Sequence, residues 1–326
     1  MNRLKTIAPR TLLTCFVAAL LFIEGISAAA RAADGSKIYT VFKSEDQGRS
    51  WARSDGGLPV SSRINALHAF GKIVLAGADT GIFMSQDSGQ TWEVISGVAS
   101  SSGRFLCFAS LGQTLFAGTD GPGMLGSSDK GRTWRTFNQG LKSRKVRCLL
   151  ALAETLYAGT DVDGVFQSRD GGKTWAPSNV GIPASAQIFS MAAVGKSVFA
   201  GLYIKGLYHL NEMKQTWEKS GDVTPLVLAT VSDTLVAGHN PGGVFRSTDL
   251  GKSWENGSAG LPADAPIWAM ASDQDRVFCG ASDGIYFSED RGSTWDRAEL
   301  GLPALSSGIA FVLTEKFILA AAVIKK

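Results

Sequence analysis

The chain has 326 residues, 44% of them apolar, and its 32 Lys and Arg against 29 Asp and Glu give a formal net charge of +3. So small a charge excludes bulk electrostatic attraction to nucleic acid or to an acidic membrane surface as its function. Its four cysteines lack metal-ligand spacing, so no metal and no cofactor are expected.

The N-terminus reads as a leader. Arg3, Lys5 and Arg10 precede an apolar run from Thr11 to Ser27, and Ala30 and Ala32 form an Ala-x-Ala cleavage site. Residues 1–32 are therefore expected to be a signal peptide and residues 33–326 a single domain, exported to the periplasm or the extracellular space. Glu24 interrupts the apolar run, which is short for a bilayer, so no membrane span is expected. Thr14 is a poor residue before a lipidated cysteine, which argues against a lipoprotein at Cys15. Loss of the leader removes four cations and one anion and leaves no formal net charge. Cys107, Cys148 and Cys279 lie in apolar runs and read as buried free thiols.

After the leader one eight-residue box recurs. It reads SEDQGRSW from Ser44 to Trp51, SQDSGQTW from Ser85 to Trp92, SSDKGRTW from Ser127 to Trp134, and SRDGGKTW from Ser168 to Trp175. STDLGKSW from Ser247 to Trp254 and SEDRGSTW from Ser288 to Trp295 follow, while the copy from Leu210 to Trp217 keeps only its final Thr and Trp. The closing Trp51, Trp92, Trp134, Trp175, Trp217, Trp254 and Trp295 stand 41, 42, 41, 42, 37 and 41 residues apart. A fixed period near forty residues signals a repeat architecture.

Each box has a mechanical reading. The carboxylates of Asp46, Asp87, Asp129, Asp170, Asp249 and Asp290 can accept amide bonds of their own turn, glycine can close it at positive φ, and Trp leaves it as an apolar anchor. Between boxes, residues 64–70, 73–76, 82–84 and 91–95 read as four strands without helical period. Aligning repeats on Gly77, Gly118, Gly159, Gly201, Gly238, Gly280 and Ala321 places Leu67, Phe108, Leu149, Met191, Leu228, Met270 and Phe311 ten residues earlier, an apolar column between sheets. A strand at 37–42 has no first or second strand before it, and 309–323 supplies those two with nothing after. The two ends should therefore share one blade. The expectation is an all-β, seven-bladed β-propeller of four-stranded antiparallel blades.

The boxes resemble the Asp-box, or BNR, repeat, a likeness that covers nearly the whole chain after the leader. Sialidases, xyloglucanases, sortilin-type receptors and photosystem II assembly propellers carry it. The resemblance implies the propeller fold and makes the box a structural turn. Sialidases add an Arg triad, a Tyr–Glu pair and an F-R-I-P-like motif, and neither the motif nor the pair is found here. Xyloglucanases use a cleft between two propellers, and this chain has residues for one. Segments Gly57-Leu58-Pro59, Gly260-Leu261-Pro262 and Gly301-Leu302-Pro303 recur in such relatives and discriminate nothing.

Candidate ligand groups are positions that leave the repeat's consensus. Arg63, Arg104 and Lys145 stand fourteen residues before the aligned glycine in successive repeats, with Arg147 close by. Together they read as a cationic sector at the channel mouth, replaceable without loss of folding. Tyr203 and His239 mark the weakened repeat as a second candidate. Asp79, Asp120, Asp161, Asp163 and Asp283 flank glycines and are explained by turn chemistry, and Asp161 to Gly164 lacks the further ligands of a calcium loop. The functional expectation is a non-catalytic, monomeric binding or assembly module for a protein or glycan partner. The alternative is a glycoside hydrolase, which would need two carboxylates at a defined separation and no assignable catalytic residue is visible for it.

Overall fold

The computed structural model describes residues 37–98, 103–239, 242–273 and 275–324, and the backbone of Val17 and Ala18. The expected signal peptide otherwise lies outside the described residues. Val17–Ala18 pairs antiparallel with Met270 and Ala269 on the innermost strand of one blade.

Seven antiparallel sheets form the ring, each of four strands, with Val17–Ala18 added to the inner edge of the sixth. The first blade runs Ile64–Phe70, Ile73–Ala78, Ile82–Ser85 and Glu93–Val94, from the channel outward. The seventh blade is composite. Its inner strands are Leu305–Leu313 and Ile318–Ile324, and its outer strands are Ile38–Ser44 and Ala52–Arg53. Ile38 faces Ile324 and Ser44 faces Ile318, so seven residue pairs close the ring where the sequence places the seam. Closure removes the free edges that invite aggregation.

Sheets pack through the apolar column expected from the repeat. Leu67, Phe108, Leu149, Met191, Leu228, Met270 and Phe311 are all buried. The aligned glycine permits this packing, because a Cβ on Gly159 would lie 2.6 Å from Ile188 on the next blade. Cys107, Cys148 and Cys279 are free and buried. Cys107 and Cys148 occupy equivalent places, each with its Sγ toward a carbonyl of the following blade, Val146 or Ile188.

The box builds itself as its residue types suggest. Ser168 Oγ donates to Asp170 at 2.8 Å and accepts the Gly172 N–H at 2.9 Å, while Asp170 accepts the Thr174 N–H at 3.0 Å. The same three bonds recur around Asp46, Asp87, Asp129, Asp249 and Asp290. Hydroxyl and amide bonds from the box's last Ser or Thr hold Asp46, Asp129, Asp170 and Asp249 down at about 2. At Asp87 burial pulls upward and is outweighed by the same bonds, again leaving about 2. Gly172 has φ +80°, and a Cβ there would sit 2.4 Å from Phe116 of the preceding blade. The seventh copy, without Ser, Asp or Gly, is replaced by a longer hairpin, Gly206–Asn211 with Thr216–Lys219. Asn211 Oδ1 there accepts the Lys214 N–H at 3.2 Å, a weaker stand-in for the carboxylate.

Outer strands are shorter than the sequence suggests, two residues in the first blade in place of the expected 91–95. Trp92 is diverted: its amide donates to Gly56 O of the preceding blade at 2.7 Å. Trp51, Trp175, Trp217 and Trp295 do the same to Leu300, Gln139, Val180 and Ala259, at 2.7–2.9 Å. The residue after each acceptor is a glycine of positive φ, and at Gly181 a Cβ would fall 2.0 Å from the Trp217 carbonyl oxygen. The Gly-Leu-Pro segments are thus latches between blades. That explains their recurrence without any ligand.

Candidate binding surface at the channel mouth

Antiparallel order places the boxes and the turns between first and second strands on one face of the ring. The loops between second and third strands, and the connections from one blade to the next, share the other. Arg63, Arg104 and Lys145 start their inner strands on this second face, where their carbonyls accept the amides of Asp79, Asp120 and Asp161 at 3.0, 2.9 and 3.1 Å. Each cation is thereby set beside the acidic loop of its own blade.

The charges pair. Arg104 Nε donates to Asp120 at 3.0 Å, Lys145 Nζ lies 3.6 Å from Asp120 and 3.5 Å from Asp161, and Arg147 donates to Asp161. Arg104, Asp120, Lys145, Asp161 and Arg147 form a line of alternating sign across the second and third blades. Burial raises the Asp120 carboxyl, but bonds and charge from Arg104 and Lys145 prevail and hold it below the ordinary carboxylate range. The cationic sector read from the sequence is therefore largely neutralised in place. The acidic partners were visible as turn residues only, because pairing within a blade depends on the strand hairpin being folded and the Lys145–Asp120 pair on the approach of neighbouring blades. Arg63 stands apart from this line. Burial lowers its pKa against the opposing pull of Tyr39 and Asp79, and its buried Nε has no hydrogen-bond partner.

A bulge extends the line. The inner strands slip register between Ile64 and Ala66, Phe105 and Cys107, Val146 and Cys148, and Ile188 and Ser190. The extra residues are Asn65, Leu106, Arg147 and Phe189, and bulges re-aim side chains in this way. The Arg147 guanidinium lies 4.5 Å above the Phe189 ring, and Phe189 stacks on Tyr203 with centroids 4.9 Å apart and planes at 22°. Leu226, buried, and Trp268 complete this cluster. Val162 and Ile204, on neighbouring loops of the same face, are 50% and 76% exposed. Sequence reasoning named Arg147 and Tyr203 separately and missed Phe189 and Trp268, whose signal was their place twelve residues before the aligned glycine.

His239 does not join them. It packs on Phe245, centroids 4.8 Å apart, its pKa is lowered by burial to about 4, and its Nε2 has no hydrogen-bond partner. Asp79 accepts from Asn65 Nδ2 at 2.9 Å and Asp283 from the Tyr286 hydroxyl at 3.0 Å. Among the described residues no group of three or more His, Cys, Asp and Glu could hold a metal ion, and no helix is long and apolar enough to cross a membrane.

No family model matches the chain, and no curated protein matches it in sequence. Solved propellers do resemble its structure. A structure of YCF48 bound to D1 peptide aligns with a TM-score of 0.60 at 18% identity, over 79% of this chain and 93% of that one. YCF48 from Cyanidioschyzon merolae gives 0.58 at 16% identity, over 79% and 95%. The GH74 xyloglucanase from Xanthomonas campestris gives 0.63 at 16% identity, over 86% of this chain and 54% of the enzyme. The likeness is one of fold. This chain spans about half the length of that xyloglucanase.

Proposed function

We propose that the chain is an exported, non-catalytic propeller of the Asp-box type that binds a protein partner at the channel mouth. The observation that carries this reading is the column of Arg147, Phe189 and Tyr203, flanked by exposed Val162 and Ile204. Aromatic side chains and arginine beside apolar surface are what protein interfaces use as anchors. Paired charges around the column would set orientation more than affinity. The YCF48 structure with a bound peptide supports the class of partner by analogy of fold.

A glycosidase is disfavoured by the carboxylates themselves. Hydrolysis with acid catalysis needs a carboxyl whose pKa is raised. Asp120 is instead lowered, and Asp161 is engaged by Lys145 and Arg147.

The test is a screen of residues 33–326 against xyloglucan, sialosides and cell-envelope extract, beside an Arg147→Ser/Tyr203→Ala variant. The expected result is no turnover of either substrate, and capture of a protein that the variant loses. Turnover, or undiminished capture by the variant, would contradict the reading.

A further inference from the structure

Five of the seven boundaries between blades are closed by one device. A tryptophan amide donates to the residue before a latch glycine, and that glycine passes over the tryptophan carbonyl. At the boundary of the first and second blades, residues 99–102 lie outside the described residues. The boundary of the fourth and fifth blades is described throughout its connection, and there the latch is missing. The step from Trp217 to Trp254 is 37 residues where the others are 41 or 42. Fourteen residues separate Trp175 from Phe189, and nine separate Trp217 from Leu226, each counted to the position twelve before the aligned glycine. The loss therefore falls in the connection, where four of the five latched boundaries carry Gly-Leu-Pro or Gly-Ile-Pro and the fifth carries Gly140-Leu141-Lys142.

The consequences are visible at Trp254. The latched Trp51, Trp92, Trp175, Trp217 and Trp295 are 3–4% exposed, but Trp254, like Trp134 at the boundary of the first and second blades, is only half-buried. Its indole N–H donates to Gly251 O of its own box at 3.1 Å, as that of the latched Trp51 does to Gly48 O, so the indole bond is common to both settings. Among the described residues no carbonyl accepts from its amide. Ser220 donates to Gly251 O at 3.0 Å, as the equivalent Ser54 does to Gly89 O at 2.6 Å across a latched boundary, so this contact is kept and only the latch is absent. A cavity of about 540 Å³ remains, lined by Trp254, Phe245, Val223, Thr224, Lys252 and His239. His239 is 8% exposed, and its Nε2 is unpartnered.

We propose that this cleft binds, in trans, an extended partner segment of the type x-Gly-(Leu or Ile)-Pro. The carbonyl before the glycine would take the Trp254 amide, as Val180 O takes that of Trp217. Only glycine fits next, since a Cβ at the equivalent Gly181 meets the tryptophan carbonyl oxygen at 2.0 Å. The apolar residue would enter the cavity against Phe245, and His239 Nε2 would meet a peptide polar group. Latches at Gly56 and Thr91, and at Ala259 and Thr294, form parallel β-bridges, so the mode is strand addition with a side-chain pocket. The inference stands apart from the channel-mouth reading, because it uses other residues.

The experiment titrates the peptide Val-Gly-Ile-Pro-Ala-Ser, a copy of residues 180–185, into the whole folded protein, observed by amide NMR. Two controls accompany it: Val-Ala-Ile-Pro-Ala-Ser, and a protein with Gly-Ile-Pro-Ala-Ser inserted after Asp222 to rebuild the latch in cis. The expected result is saturable binding that shifts the Trp254 amide, weakened about tenfold or more by the Gly-to-Ala change, and lost in the insertion protein. Absence of saturable binding, or equal binding of the alanine peptide, would overturn the proposal. So would binding of a glucan oligosaccharide at Trp254 without binding of the peptide, which would assign the cleft to sugars.

Discussion

The Trp51 amide donates to the Leu300 carbonyl at 2.9 Å, tying a residue near the start of the ring to one near its end. Gly301 follows with φ +81°, and a Cβ there would stand 1.9 Å from the Trp51 carbonyl oxygen. Gly301→Ala therefore meets both a strained backbone and a backbone clash. A loss of about 2 kcal/mol or more is expected in urea unfolding. Gly71, also at positive φ but with nothing near its missing Cβ, should cost less on the same change.

Closure rests on pairing of Ile38–Ser44 with Ile318–Ile324. Deleting residues from Phe317 onward removes the second strand of the composite blade and bares Phe42 and Val41. The shortened chain should lose its single cooperative transition. A truncated protein melting like the parent would show that the ring does not depend on this seam.

Replacing both Arg104 and Lys145 by Ser leaves Asp120, a carboxylate 21% exposed, without its cations. The sequence alone suggests solvated charges that can be removed freely, whereas the structure makes them partners. A loss of roughly 1–3 kcal/mol is expected. A change within about 0.5 kcal/mol, ordinary for a surface site, would mean that the pairs contribute nothing.

Stability should fall with acid in two stages. Burial lowers His68 and His239 from 6.5 to about 4, so the unfolded chain binds protons first, and stability declines as pH drops from about 6.5 to 4. The box carboxylates, lowered from 3.8 to about 2, contribute above the unfolded value and lose that contribution as pH falls through the folded one. Urea midpoints recorded from pH 7 to 2 should show both declines. His239→Gln should flatten the upper one.

Cys107, Cys148 and Cys279 are buried, and burial pushes the Cys279 thiol well up. A thiol reagent should label none in the native protein and all three after unfolding. Mass spectrometry showing a linked Cys107–Cys148 peptide would contradict the equivalent, same-way orientation of the two side chains.

The blades were legible because the box reports its own geometry. Ser, Asp and Gly at fixed offsets have one mutual arrangement, and the intervals between tryptophans count the sheets. The closing seam was legible from strands missing at each end. The candidate surface was legible only as residues out of pattern. Arg147 and Tyr203 meet through Phe189, which reads as ordinary core in its run Ile188-Phe189-Ser190-Met191 and is turned to the mouth by a bulge that no residue type announces. The pairing of Lys145 with Asp120 crosses a blade boundary, a distance that no spacing within one repeat encodes. The 37-residue step was visible in the chain, but its meaning required the latches to be seen first.

The most direct measurement places a photo-crosslinking residue at Ile204, beside Tyr203 at the channel mouth, and a control at Met213, 97% exposed in the hairpin on the opposite face. Irradiated in cells that export the chain, the protein should yield a discrete protein adduct from position 204 and none from 213, and the 204 adduct should vanish with Arg147→Ser. Equal adducts from both positions, or none from 204, would contradict a partner-binding channel mouth.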